Sequence, residues 1–141
     1  MSRANFKISK IDDRVYLSGS MNTNKKHMLQ NLNITHILII GTDLPAHFPD
    51  DFIYKHVCIE DQENENIAQY FEECYDFIMQ ATGPVLVHCH AGMSRSATIV
   101  MYYLMRTLDM SYADAYALCK SKRKCVGPNM EFIRQLQSAT W

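Results

Sequence analysis

The stretch Val85-Leu86-Val87-His88-Cys89-His90-Ala91-Gly92-Met93-Ser94-Arg95-Ser96-Ala97-Thr98 constrains this chain more than any other part of it. Val85 to Val87 is a short apolar run of the kind that forms a buried strand. Ile99 to Leu108 has the apolar content of a buried helix. Between them lies a loop of small residues that opens with a cysteine and closes with an arginine at the helix start. A cysteine held there meets inward-pointing backbone N–H groups and the positive end of a helix, and both favour the thiolate. The same groups welcome a phosphate. An arginine at the loop's end adds a planar fork of donors that matches phosphate oxygens in pairs. One turn of chain thus combines a nucleophile with an anion cradle.

The rest of the sequence fits a single α/β domain over residues 1–141. Of its 141 residues 48% are hydrophobic, enough for one sizeable core. A formal net charge of −1 gives no electrostatic reason to expect nucleic acid or an anionic membrane as a partner. No apolar run approaches the roughly 20 residues of a bilayer-spanning helix. Met1-Ser2-Arg3-Ala4-Asn5 has no hydrophobic signal core, and Ser2 stands where myristoylation requires glycine. Five cysteines without framework spacing fit a reducing compartment, so the cytoplasm is the expected location, with the nucleus also open. Cys58, Cys74 and Cys119 fall in apolar patterns and are expected to fill the core. His27, His36, His47 and His56 lack ligand spacing, so no metal or other cofactor is expected. Composition leaves the oligomeric state open.

Along the chain, Ile8–Ile11 and Val15–Leu17 alternate around Asp12-Asp13 and predict an opening hairpin. Asn22 or Thr23 is placed to cap a helix running toward Asn31. Leu32 to Ile40 turns into a continuous apolar strand, and Phe52 to Ile59 reads as another. Continuous rather than alternating apolarity predicts a central parallel or mixed sheet flanked by helices on both faces. Ile67, Tyr70, Phe71, Cys74, Phe77 and Ile78 recur at helical spacing up to Thr82-Gly83-Pro84. Ser111 to Asp114 resembles a capping box for a helix ending near Lys120. Pro128 suits the first turn of a last helix that buries Phe132, Ile133 and Leu136.

The spacing Cys89-x-x-x-x-x-Arg95-Ser96 after a hydrophobic strand resembles the signature of the cysteine-dependent protein tyrosine phosphatase superfamily. The full string from His88 to Thr98 resembles the dual-specificity phosphatases in particular. The likeness runs from Val15-Tyr16-Leu17-Ser18-Gly19-Ser20 through Ile34-Thr35-His36-Ile37-Leu38 to Gln135-Leu136, as in a small catalytic-domain-only member. It implies hydrolysis of phosphotyrosine and phosphoserine/phosphothreonine in a phosphoprotein substrate. Two departures stand out: Ile39-Ile40 where relatives commonly carry asparagine, and Met130-Glu131 where a small residue is commoner.

Phosphate monoesters resist hydrolysis because their anionic phosphoryl group repels nucleophiles and their alkoxide or phenoxide leaves poorly. A covalent route through Cys89 divides the task in two. Ser96 is placed to hydrogen-bond the thiolate and make it a better leaving group. Backbone N–H groups from His90, Ala91, Gly92, Met93, Ser94 and Arg95, with the Arg95 guanidinium, would hold the equatorial oxygens. His88 is expected to orient the backbone beside the nucleophile. The leaving oxygen needs a proton. Glu60, Asp61, Glu63 and Glu65 all offer one, and chemistry alone does not choose. The resemblance implies Asp61, an aspartate that ends a strand and precedes a polar loop and helix. It also sets Arg123 and Pro128-Asn129 at the pocket border. Arg123 is expected to contact a second substrate phosphate or an acidic flank, or else to belong to a solvated basic run, and Asn129 to play a supporting part. The uncharged Ala91, Met93 and Ser94 differ from the lysine-bearing loops of phosphoinositide relatives. The alternatives are a catalytically silent phospho-binding module, or a phosphatase acting on a phosphoinositide or RNA 5′-end.

Overall fold

Val85, Leu86 and Val87 are all wholly buried, and the strand they begin is the middle of a five-stranded sheet. The computed structural model describes residues 7–141. In chain order the strands are β1 (Ser9–Lys10), β2 (Val15–Ser18), β3 (His36–Ile40), β4 (Ile53–Val57) and β5 (Val85–His88). They lie side by side as β1-β2-β5-β3-β4. The β1–β2 hairpin is antiparallel, as its alternation predicts, and every other neighbouring pair is parallel. The helices are α1 (Lys26–Asn31), α2 (Phe71–Gln80), α3 (Arg95–Leu108), α4 (Tyr112–Lys122) and α5 (Met130–Gln137), with a 3-10 turn, Ile67–Tyr70, leading into α2.

Alternation along the strands sends side chains to two different cores. Val15, Leu17, Leu38, Ile40, Val85 and Val87 pack against the buried faces of α2, α3, α4 and α5. Tyr16, Ile37, Ile39 and Leu86 point the other way, onto Leu29, Ile34 and Phe52. The sheet is therefore covered on both sides, as its continuous apolarity requires, but unequally: the second face has only α1 and the chain between β3 and β4. The central helix α3 is buried from Arg95 through Met105 and emerges at Leu108, which is exposed. Truncating a wholly buried strand residue such as Leu86 to alanine costs about 2–5 kcal/mol.

Local differences from the sequence reading have local causes. Asn22 adopts a left-handed φ of 74° and the Thr23 hydroxyl donates to the Ser20 carbonyl at 2.6 Å. Neither caps α1, which starts later behind Lys25. Asn33, at φ 61°, turns the chain out of α1 and delays β3 to His36. Cys74 and Cys119 are buried, with thiols pushed up to about 12 by desolvation. Cys58 is exposed instead: it lies between the buried Val57 and Ile59 on an extended segment, so the alternation turns it outward. Ser111 does cap α4, accepting from the Asp114 N–H at 3.1 Å. Asn129, rather than Pro128, opens α5 by accepting from the Phe132 N–H at 2.9 Å.

Because β2, β3, β4 and β5 are parallel, their carboxyl ends share one edge of the sheet. The segments after them meet there, and in open α/β sheets that edge is where ligands bind.

Candidate active site

The loop from Cys89 to Ser94 leaves β5 at this edge and feeds directly into α3. Its Gly92 sits at φ +69°, a conformation that side chains disfavour, and a Cβ there would lie 2.5 Å from the Gly19 nitrogen. A Cβ on Gly19 would in turn lie 2.7 Å from the His90 carbonyl oxygen. Two glycines therefore let β2's end press against the loop. Ser20 fastens the contact, its backbone N–H donating to the His90 carbonyl at 2.9 Å.

Cys89 is 2% exposed. Its Sγ lies 3.0 Å from the Ser96 Oγ and accepts from the Gly92 N–H at 3.2 Å. Among the described residues, no acceptor takes the backbone N–H groups of His90, Ala91, Met93, Ser94 or Arg95. The Arg95 guanidinium is 9% exposed and held by one bond, Nη1 to the Ile59 carbonyl at 3.1 Å. Its buried Nε has no partner. A buried orphan donor is costly unless something satisfies it. A ring of unclaimed N–H groups around one thiol, closed by an unclaimed guanidinium N–H, is satisfied by a tetrahedral oxyanion.

His88 is 1% exposed, and burial pushes its pKa down to about 4. The ring is thus neutral, with Nδ1 placed 3.4 Å from the Cys89 carbonyl oxygen. A carbonyl can only accept, so Nδ1 carries the proton and steadies the backbone at Cys89.

The segment after β4 brings Asp61 to the same edge. Its Oδ1 accepts from the Asn129 Nδ2 at 2.9 Å, and the Asn129 backbone N–H donates to the Ser94 Oγ at 3.0 Å. Asn129 therefore links the exposed carboxyl of Asp61 to the loop that holds Cys89. The competing Glu60 is engaged elsewhere: its carboxylate accepts from the Thr42 hydroxyl, and its N–H donates to the Glu65 Oε1 at 3.1 Å. Gln135 clamps the far end of the segment, receiving the Ala68 N–H at 2.9 Å and donating to the Glu65 carbonyl at 3.0 Å.

Arg123 requires a correction. It does not belong to a solvated run, for it is 1% exposed, and its guanidinium faces backbone carbonyls rather than open solvent. Its guanidinium donates to the Gly92 carbonyl at 2.9 Å, the Ala91 carbonyl at 3.2 Å and the Lys7 carbonyl at 2.7 Å. The loop's carbonyls and N–H groups face opposite ways, so Arg123 grips the cradle from behind and leaves its N–H side free. The departures also find places. Ile39 and Ile40 are wholly buried in β3, and Met130 is 73% exposed at the start of α5. Ser20 and Gln135 escaped the sequence reading. A Gly-Ser pair breaking off a strand was the available signal for Ser20; nothing local marks Gln135, whose partners lie 67 and 70 residues away.

Residues 15–140 match the family model described as "Dual specificity phosphatase, catalytic domain". The chain belongs to the dual specificity phosphatase family. It is 48% identical over 133 residues to "Dual specificity protein phosphatase 1" of Arabidopsis thaliana, covering 92% of this chain and 67% of that one. With the Homo sapiens protein of the same name it shares 38% over 125 residues, 86% of this chain but 34% of the relative. Among solved structures, that of a human "tyrosine phosphatase-like serine/threonine/tyrosine-interacting protein" is similar at TM-score 0.89 and 35% identity, covering 94% and 95% of the two chains. DUSP15 is similar at TM-score 0.89 and 30% identity, covering 93% and 85%. The five-stranded mixed sheet is thus that of a cysteine-dependent phosphatase.

Proposed function

We propose that residues 1–141 form one catalytic domain that hydrolyses phosphotyrosine and phosphoserine/phosphothreonine in proteins by double displacement at Cys89. In the first step the Cys89 thiolate attacks phosphorus, a P–S bond forms, and the P–O bond to the side-chain oxygen breaks. Asp61 gives that oxygen its proton. In the second step water attacks phosphorus, Asp61 takes the water's proton, and the P–S bond breaks. Ser96, 3.0 Å from Sγ, donates to the departing thiolate. Throughout, the N–H groups from His90 to Arg95 and the Arg95 guanidinium hold the equatorial oxygens, where charge spreads in the transition state. His88, Asn129 and Arg123 position these groups. None of the steps calls on a metal.

The observation that carries the reading is the set of donors without acceptors around one buried thiol, including the partnerless Arg95 Nε. A phospho-binding module would use the same cradle, but would have no use for a carboxyl tethered to it through Asn129. A protein substrate is favoured because the phosphate loop carries no cation besides Arg95 and the neighbouring segment holds Glu60, Asp61, Glu63 and Glu65. That pattern repels polyanions such as RNA ends or phosphoinositides. No helix among the described residues is long and apolar enough to cross a membrane. A signalling role in the cytoplasm or nucleus suits such an enzyme.

The deciding experiment is turnover of phosphopeptides, a phosphoinositide and an RNA 5′-end by the wild type and two variants. Cys89→Ser is expected to abolish hydrolysis while keeping phosphopeptide binding. Asp61→Asn is expected to lower kcat by about 10²–10⁴-fold on an alkyl phosphate, and far less on an aryl phosphate whose leaving group needs no proton. Equal losses on both substrates would remove Asp61 from the role of acid.

A further inference from the structure

A cleft of about 510 Å³ opens off one side of the phosphate loop. Its inner wall is His90 and Ala91 of the loop itself, and its outer walls come from the segments after β2 and β3. It therefore adjoins the phosphate loop, within reach of a residue flanking one whose phosphate is seated there. The volume is within the range of a pocket that takes a side chain or two.

Its lining is selective. Met21, Leu44, Pro45 and Ala91 give it an apolar wall, and the polar remainder includes a single carboxylate, Asp43. No lysine or arginine is among the lining residues. The Lys26 ammonium is engaged instead by the Asp51 carboxylate at 3.4 Å and lies over the Phe48 ring at 5.8 Å. A second phosphate or an acidic side chain would find no fixed cation here, only the imidazoles of His47 and His90, and would face Asp43. A long cationic side chain fits both features, its methylenes along Met21, Leu44 and Pro45 and its head at Asp43.

We propose that this cleft is a substrate subsite for an arginine or lysine flanking the phosphoresidue, which makes basic phosphopeptides the preferred substrate class. The assignment rests on the phosphatase reading and adds a specificity to it. Asp43 stands at φ 56°, a left-handed conformation that asparagine adopts readily, so Asp43→Asn removes the charge without straining the turn.

The test compares kcat/KM for matched phosphopeptides bearing arginine, alanine or glutamate beside the phosphoresidue. Each value is normalised to the same variant's turnover of a small aryl phosphate. Wild type is expected to favour arginine over glutamate on the order of fivefold at low salt, as exposed charge pairs allow, with less difference at high salt. Asp43→Asn is expected to collapse that ratio toward unity, and Leu44→Ala to weaken the arginine peptide while sparing the alanine one. A wild-type ratio at or below unity, or one that survives Asp43→Asn, overturns the subsite. Absence of aryl phosphate turnover in the wild type would instead overturn the phosphatase reading itself.

Discussion

Asn129 satisfies three neighbours at once, and that fixes what it can do for the chemistry. Its Oδ1 caps α5 through the Phe132 N–H at 2.9 Å, its backbone N–H holds the Ser94 Oγ at 3.0 Å, and its Nδ2 donates to Asp61 Oδ1 at 2.9 Å. A carboxyl oxygen that is accepting from an amide is not the one carrying the proton. In the proposed mechanism the proton that Asp61 delivers is therefore carried on Oδ2, oriented by Asn129. Asn129→Ser tests this cleanly, since serine is as good a helix cap but lacks the amide donor. We expect an unchanged melting temperature, a roughly tenfold fall in kcat on an alkyl phosphate, and little change on a nitrophenyl phosphate. Parallel losses on both substrates would mean that Asn129 serves only the fold. The same logic of fixed donors applies to Ser96: its hydroxyl is wholly buried 3.0 Å from Sγ, where the proposed mechanism has it donate to the departing sulfur.

At the scale of elements, the cradle is a loop braced on its carbonyl side by two supports that meet at Gly92, β2's end and Arg123. Gly19→Ala probes the first. Its backbone is not left-handed, so the variant adds only a Cβ, 2.7 Å from the His90 oxygen and 2.9 Å from the Ala91 carbon. Displacing catalytic donors by an ångström costs on the order of 10²-fold in rate, and we expect kcat/KM to fall by about that much. Arg123→Met probes the second, leaving the Gly92, Ala91 and Lys7 carbonyls to lose a charged donor. Its expected cost is about 3 kcal/mol, read as a lower urea midpoint with turnover lost alongside. Lysine cannot restore the fork, so Arg123→Lys should recover little. These supports also mark the limit of what could be read from the chain alone. The juxtaposition of Cys89, Arg95 and Ser96 was legible because all three lie within one strand–loop–helix. Nothing in the chain singles out Asp61 among its equally acidic neighbours; only the family likeness points to it. The burial of Arg123 was not legible because its surroundings in sequence are four basic or polar neighbours, whereas its surroundings in space are carbonyls. Ser20 and Gln135 act across 70 and 67 residues respectively, at distances where no local pattern speaks.

The whole molecule stakes its stability on a histidine that must stay neutral. Building the loop onto the central strand buries His88 at 1% exposure, and its folded-state pKa falls to about 4 from the ordinary 6.5. His36, also desolvated, is shifted in the same direction. Between those pKa values the unfolded chain binds a proton at position 88 that the native chain refuses. Stability therefore rises with pH through that window and falls as pH drops from about 6.5 toward 4. At 1.36 kcal/mol per pKa unit, the penalty approaches roughly 3 kcal/mol at the acid end, a large part of a typical domain's reserve. Urea midpoints measured at pH 7 and pH 5 should differ accordingly, with the slope against pH flattened in His88→Gln, which cannot titrate. An equally steep slope in that variant would shift the acid sensitivity to other groups. The same burial keeps the ring uncharged beside Cys89, with Nδ1 as a donor to the backbone, wherever the pH stays well above about 4.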